Sequence, residues 1–187
     1  MRKTTLGVWL GIFLSFCVST HVFAGEKKQS MILLISEQNI EGPQRAWWAS
    51  EIDLSTTEAR IIAKLTVQGY DILEPALLAE TIKKEPAFRQ VNLSEQESIK
   101  LGNLSHADYV IVGKAVASAG GVVPQSTMRS CFANLTAKLI NVKEGKIVAY
   151  LEASGNSVHL DVITGGKEAL ANAADDLAQK LLEALKK

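Results

Sequence analysis

Two segments of alternating apolar and polar residues, near 128–141 and 146–157, constrain the fold of this chain most strongly. In the first segment, Cys131 and its alternate neighbours share one face, whereas Phe132 begins the row on the other face. Residues 143–145, Lys-Glu-Gly, join the two segments as a hairpin loop. The pattern predicts two antiparallel strands with one buried face, on which a free cysteine behaves as a small hydrophobic residue.

The residues before this pair predict alternating strands and helices. Strands are predicted at 31–35, at 70–73 and from Tyr109 through Ala117, with Gly120-Gly121 ending the last of them. Helices are predicted after the capping boxes at Ser55 and Ser94, from Pro75, and from Thr164 or Gly165 to the end of the chain. The predicted order is β-α-β-α-α-β-β-β-α. It indicates an α/β (α+β) fold in which helices pack on a mixed β-sheet.

The first 24 residues are typical of a secretory signal. Two basic residues precede an uncharged run over 6–19, and Val22 and Ala24 occupy the −3 and −1 positions of a cut after Ala24. A run of this length is shorter than the roughly 20 residues that span a bilayer. We therefore predict a signal peptide over 1–24 and a single exported domain over 25–187, with no integral membrane span after cleavage.

The cysteines and charges bear on the exported form. Phe16 stands before Cys17, where bacterial lipoproteins carry a small residue, so the sequence favours a soluble exported protein over a lipoprotein. Loss of Arg2 and Lys3 from the 20 basic residues leaves 18 against 20 acidic residues, a formal charge of −2. This charge gives no electrostatic reason to expect nucleic-acid binding. Cys131 would be the only remaining cysteine, which excludes an intramolecular disulfide.

Sequence motifs for catalysis are missing. The chain has no phosphate-binding loop, no G-x-G-x-x-G and no G-x-S-x-G. His106 and His159 are 53 positions apart, and with one cysteine they are too few ligands for a zinc site. The prediction is a protein that is not an enzyme, with no catalytic residue, no metal and no cofactor.

A polar loop after the first strand contains the candidate interaction residues. It runs from Ser36 to Asp53, at the carboxyl end of a strand, where α/β sheets commonly present binding loops. The candidates are Glu37, Gln38, Asn39, Trp47, Trp48 and Glu51. Aromatic residues are frequent anchors in protein interfaces. The alternative is that one or both tryptophans cap the core beneath the loop, because large aromatic side chains are usually mostly buried.

Two stretches resemble a known group of proteins. Residues 105–115, Ser-His-Ala-Asp-Tyr-Val-Ile-Val-Gly-Lys-Ala, are similar to a "small-x-Ala-Asp-Tyr-hydrophobic-Gly-x-hydrophobic" segment of CsgG-like and LpoB-like envelope proteins. The TolB amino-terminal domain and the FlgT middle domain are related to these in fold. Residues 131–148 resemble their strand-turn-strand hairpin, and the resemblance extends over roughly 30–186. It implies a periplasmic, non-enzymatic assembly or regulatory domain of a Gram-negative envelope.

Three functional hypotheses follow. The first is a protein-interaction domain that binds an envelope protein and assists assembly or regulation of a machine of the secretion, peptidoglycan-synthesis or flagellar type. Homo-oligomer formation is left open. The second is a periplasmic small-ligand-binding protein with a cleft beside Glu37, Asn39 and Trp48. The third is a hydrolase that depends on Glu51 or His159.

Overall fold

The computed structural model describes residues 28–48, 54–73, 75–90 and 92–186. The predicted signal peptide, its cleavage site, Cys17 and Glu51 lie outside these described residues.

The elements follow one another in the predicted order. The strands are β1 (Ser30–Gln38), β2 (Asp71–Leu73), β3 (Tyr109–Val122), β4 (Arg129–Asn141) and β5 (Lys146–His159). The α-helices are α1 (Thr56–Val67), α2 (Pro75–Lys84), α3 (Glu95–Leu104) and α4 (Val162–Leu185), with a 3-10 turn at Pro86–Phe88 between α2 and α3. The prediction of an α+β fold with helices packed on a mixed sheet is confirmed.

The sheet has the strand order β2-β1-β3-β4-β5. β1 is parallel to both β2 and β3, whereas β4 is antiparallel to both β3 and β5. Parallel neighbours require crossover connections, which α1 supplies between β1 and β2, and α2 and α3 supply between β2 and β3. In the antiparallel half, the predicted hairpin loop joins β4 to β5, and residues 123–128 join β3 to β4.

Two apolar cores form on the two faces of the sheet. On one face, α1 and α4 cover alternate residues of the sheet, including Met31, Leu135 and the buried Cys131. On the other face, α2, α3 and the 3-10 turn cover β1, the beginning of β3 and the end of β4, around Ile32 and Val110. The placement of Cys131 on the buried face is confirmed, since its side chain is 0% exposed.

Capping side chains define where two helices begin. Ser55 Oγ accepts the Glu58 amide at 3.2 Å, and the Glu58 carboxylate accepts the Ser55 amide at 3.0 Å. Ser94 and Glu97 repeat this arrangement at α3, and the hydrogen bonds from Ser94 lower the pKa of the Glu97 carboxyl. Both predicted capping boxes are confirmed.

Two strands extend beyond their predicted ends. β1 continues to Gln38, where a loop was expected from Ser36, because Ser36–Gln38 pair with Lys114–Val116 of β3. β3 continues through Gly120-Gly121 to Val122, so the expectation that these glycines end the strand is wrong. The pairing with β4 shifts register between Ala119 and Val122, which shows that the glycines lie in a bulge of a continuing strand.

The last helix begins earlier than predicted. α4 starts at Val162 rather than at Thr164 or Gly165, because Asp161 is its N-cap. The Asp161 carboxylate accepts the Thr164 amide at 2.7 Å, and the hydrogen bonds from Thr164 lower the pKa of this carboxyl. A polar residue three positions before Thr164 was therefore the signal for the true start of the helix.

The outer edge of β5 is protected by side chains of α4. Lys180 Nζ donates to the Glu152 carbonyl at 2.7 Å, and Asn172 Nδ2 donates to the Asn156 carbonyl at 2.8 Å. β5 is one of the two edge strands of the sheet, and its outward carbonyls are the groups with which an added strand would pair. The two side chains thus occupy the central part of this edge.

Removing both donors should promote association of the chain through this edge. In a variant with Asn172→Ala and Lys180→Met, the two carbonyls lose their partners at a cost of about 1–2 kcal/mol in unfolding free energy. We expect a several-fold larger associated fraction in analytical ultracentrifugation than for the wild type at equal concentration. Gln179→Ala is the matched control, because Gln179 lies on the same helix and its side chain contacts Glu183. A sedimentation profile identical to that of the wild type would contradict the protective role.

Candidate functional site

The two tryptophans of the predicted interaction loop lie against the core. Trp47 is 1% exposed, packs beside Phe88 on the side of α2 and α3, and donates from Nε1 to the Gln90 carbonyl at 3.0 Å. Trp48 is half-buried against the same core, with its ring centroid 5.6 Å from that of Trp47 in an edge-to-face arrangement. The position of Trp47 corresponds to the alternative in which a tryptophan of this loop covers the core beneath it.

The polar residues of the loop connect the sheet to the first turns of two helices. Glu37 Oε2 accepts the Thr57 amide in the first turn of α1 at 2.7 Å. Asn39 Nδ2 donates to the Ile163 carbonyl at the start of α4 at 3.1 Å. Gln38 is half-buried and lies opposite Val116 in the pairing of β1 with β3. Glu37 therefore connects β1 to the start of α1, and Asn39 connects the end of β1 to the start of α4. Glu51 lies outside the described residues.

A different surface of the sheet is exposed. On β3, β4 and β5, the face opposite α1 and α4 presents alternate residues that are exposed from Phe132 to Lys138 of β4 and from Val148 to Val158 of β5. We call this surface the open face; its residues are Lys114, Val116 and Ser118 of β3, the alternate residues from Phe132 to Lys138 of β4, and those from Val148 to Val158 of β5. α2 and α3 stop short of it, because they cover β1 and the beginning of β3.

The open face carries large apolar side chains among polar ones. Tyr150 is 70% exposed, Val158 is 50% exposed, and Phe132 and Val148 are 46% and 45% exposed. A strand residue on a solvated face is normally polar. Four large apolar residues on one such face form a mixed surface rather than an ordinary solvated one.

Cross-strand register places the polar residues of the open face in rows. Lys114, Thr136 and Glu152 lie opposite one another across the three strands. In the next row, Lys138 lies opposite Tyr150, and its Nζ is 5.6 Å from the centroid of the Tyr150 ring. This distance is within the range of a cation–π contact. Charged groups and an aromatic ring are therefore neighbours on this surface.

A shallow groove of about 310 Å³ runs between the segment before α3 and the open face. Its lining consists of Asn92, Leu93, Val112, Gly113, Lys114, Thr136, Ala137, Lys138, Tyr150, Leu151 and Glu152. Leu93 and Val112 contribute apolar surface, and the two lysines contribute positive charge. The groove therefore joins the apolar edge of the core at Leu93 and Val112 to the two rows of the open face that contain Lys114 and Lys138.

The remaining candidates for chemistry or membrane insertion are metal-ligating clusters, His159 and long apolar helices. Across the described ranges, no cluster of three or more His, Cys, Asp or Glu side chains is arranged to hold a metal ion. His159 Nδ1 accepts the Asp161 amide at 3.0 Å in the turn that leads into α4. Within the same part of the chain, no helix combines the length and apolarity needed to cross a membrane.

The open face was not among the predicted site residues, although the sequence contained a signal for it. The alternation at 128–141 already assigns Phe132 to the polar row, where an aromatic residue is out of place. Tyr150 breaks the pattern of the neighbouring strand in the same way. What the alternation does not show is that α2 and α3 leave this row uncovered, because that depends on where the helices pack.

Comparisons with known proteins find similar structures. No family model matches the sequence, and no curated protein matches it. Lipoprotein GNA1162 from Neisseria meningitidis is 18% identical with a TM-score of 0.46, and the match covers 84% of this chain and 95% of that chain. A PelC dodecamer from Paraburkholderia phytofirmans is 16% identical with a TM-score of 0.42, covering 84% of this chain and 86% of that chain.

The LpoB C-terminal domain from Salmonella enterica is also similar. It is 18% identical with a TM-score of 0.40, and the match covers 70% of this chain and 85% of that chain. The similar structures thus include LpoB domains and bacterial lipoproteins. The resemblance to CsgG, TolB and FlgT proteins stays a prediction.

Proposed function

We propose that this chain is a non-enzymatic periplasmic domain that binds an envelope protein through its open face and assists assembly or regulation of an envelope machine. The observation that carries the proposal is the exposed apolar and aromatic set on that face, led by Tyr150 at 70% exposure. Tyrosine offers a large contact area with a polar end and is enriched in interfaces. The signal-like sequence at 1–24 supports the periplasmic location.

The composition of the open face fits a partner other than a second copy of the chain. Lys114, Lys138 and Glu152 stand among Phe132 and Tyr150, so apolar and charged groups are interspersed. Non-obligate interfaces have this mixed character, whereas obligate homodimer interfaces are more uniformly apolar. We therefore assign the face to a separately folded protein partner.

The protected edge of β5 supports a contact through the face rather than through an added strand. Lys180 and Asn172 already satisfy carbonyls of Glu152 and Asn156. A partner strand pairing there would have to displace both side chains. Side chains of the open face project from the same strand without any such obstruction.

Site-specific photocrosslinking in the producing cells tests this proposal. With p-benzoylphenylalanine at position 150 of the full chain, we expect ultraviolet light to yield one discrete product with an envelope protein. The yield should fall several-fold when Val148→Ser is added. This change removes an exposed apolar side chain two residues from Tyr150 on the same strand, and such neighbours contribute to the affinity at the centre of an interface. The matched control carries the photoreactive residue at Val67 of α1. This residue is 82% exposed, and α1 packs on the face of the sheet opposite the open face.

Two results would contradict the proposal. A product from position 150 with twice the mass of the chain would assign the open face to self-association. Equal products from positions 150 and 67, or none from position 150, would remove the face as the contact surface.

A further inference from the structure

The groove beside the open face has an excess of positive charge. Lys114 and Lys138 line it from adjacent strands, and Glu152 is the one acidic side chain among its described lining residues. Neither lysine forms a salt bridge with a described residue, whereas other lysines do, such as Lys100 with Glu85. The groove therefore has a charge of +1 that no described side chain balances.

Strand register places the two lysines at diagonal positions on adjacent strands of the open face. Lys114 lies opposite Thr136, and Lys138 is two residues further along the same strand. Such diagonal positions on one face of a sheet are about 7–8 Å apart, within reach of two long side chains. A carboxylate placed between them would interact with both ammonium groups.

Apolar surface lies immediately beside this position. Leu93 and Val112 line the groove on one side, and the Tyr150 ring lies on the other. A ligand with a carboxylate next to an apolar or aromatic side chain would meet both kinds of surface at once. Asn92, at the rim, adds an amide that is able to donate to and accept from a main chain.

The shape of the groove favours an extended segment over a compact small molecule. Small-molecule sites usually enclose most of their ligand in a cavity of about 300–1,000 Å³. Here the groove of about 310 Å³ does not enclose its lining, since Tyr150 at its side is 70% exposed. An extended peptide can lie along such a surface with alternate side chains directed into it.

From these observations we propose that the groove binds an extended peptide segment of the partner that carries Asp or Glu next to an apolar or aromatic residue. The proposal rests on the proposed function, since it names the chemistry of the partner at the open face. Lys114 and Lys138 would bind the carboxylate, and Val112, Leu93 and Tyr150 would bind the adjacent side chain.

Selection from a displayed library of random linear peptides tests this chemistry. We expect the full chain to enrich peptides in which Asp or Glu lies within two positions of an apolar or aromatic residue. In fluorescence anisotropy with the most enriched peptide, the double variant Lys114→Gln and Lys138→Gln should raise Kd about tenfold, as should the Asp→Asn or Glu→Gln version of the peptide. Lys143→Gln, in the turn between β4 and β5, is the control and should leave Kd within about twofold.

Failure of this inference and failure of the proposed function give different results. If no acidic peptides are enriched, or if they bind the double variant as tightly as the wild type, the inference is overturned. Photocrosslinking from position 150 in the double variant then distinguishes failure of the groove inference from failure of the proposed function. An undiminished envelope-protein product would overturn only the inference, because the open face would then bind its partner without the lysines, whereas absence of the product from the chain that keeps both lysines would overturn the proposed function.

Discussion

Replacing Gly155 with alanine is expected to lower the unfolding free energy by about 3 kcal/mol, near the upper end for overpacking. A Cβ atom at this position would lie 2.1 Å from the Ala169 carbonyl oxygen and 2.4 Å from the Ala173 amide nitrogen. Both atoms belong to the backbone of α4, so no side-chain rotation relieves the clash. α4 would have to move away from β5 and from the core that it covers. Urea denaturation followed by circular dichroism measures the loss.

Gly121→Ala is the matched control for this substitution. Gly121 also lies in a strand of the sheet, but a Cβ atom there has no described atom within 4 Å. We expect its midpoint of denaturation to stay close to that of the wild type. If Gly155→Ala were as stable as Gly121→Ala, the close packing of α4 on β5 would be refuted.

Replacing Trp47 with alanine is expected to cost about 3–5 kcal/mol, as for other large aromatic residues removed from a core. The side chain is 1% exposed and is the largest of the fully buried residues described. Its removal leaves a void beside Phe88 and Leu34 and also removes the hydrogen bond to the Gln90 carbonyl. Denaturation in urea, monitored by far-ultraviolet circular dichroism, gives the change.

Trp47→Phe separates packing from hydrogen bonding at this position. It keeps an aromatic ring in the core and loses the Nε1 donor, so we expect a cost of about 1–2 kcal/mol. The result that would restore Trp47 as an interaction residue is the reverse pattern. In that case Trp47→Ala would unfold at the wild-type denaturant concentration and yet lose the crosslink from position 150.

The order of elements was predictable because local signals determine it. Ser55 and Ser94 show where helices start, since an N-cap hydroxyl and an acid three residues later satisfy one another within a single turn. The alternation around Cys131 identifies a strand and its buried face for the same reason. These signals do not depend on what packs against the element.

The site was less predictable because it depends on packing between distant segments. Glu37 and Asn39 read as free polar groups in the sequence, but α1 and α4 bring amide and carbonyl partners to them from residues 57 and 163. The bulge that carries Gly120 and Gly121 through β3 likewise depends on pairing with β4. The exposure of Tyr150 is set by the limited reach of α2 and α3, which no single segment encodes.

The interior position of β1 has a consequence for the order in which the chain folds. Met31 pairs with Tyr109, 78 residues later, and β2 is its neighbour on the other side. Pairing across such a separation carries a loop-closure entropy that local contacts do not repay, and a high contact order slows folding. β1 thus cannot pair with β3 until 78 more residues have followed each of its paired positions. The sheet therefore closes around β1 only after β3 has been synthesised.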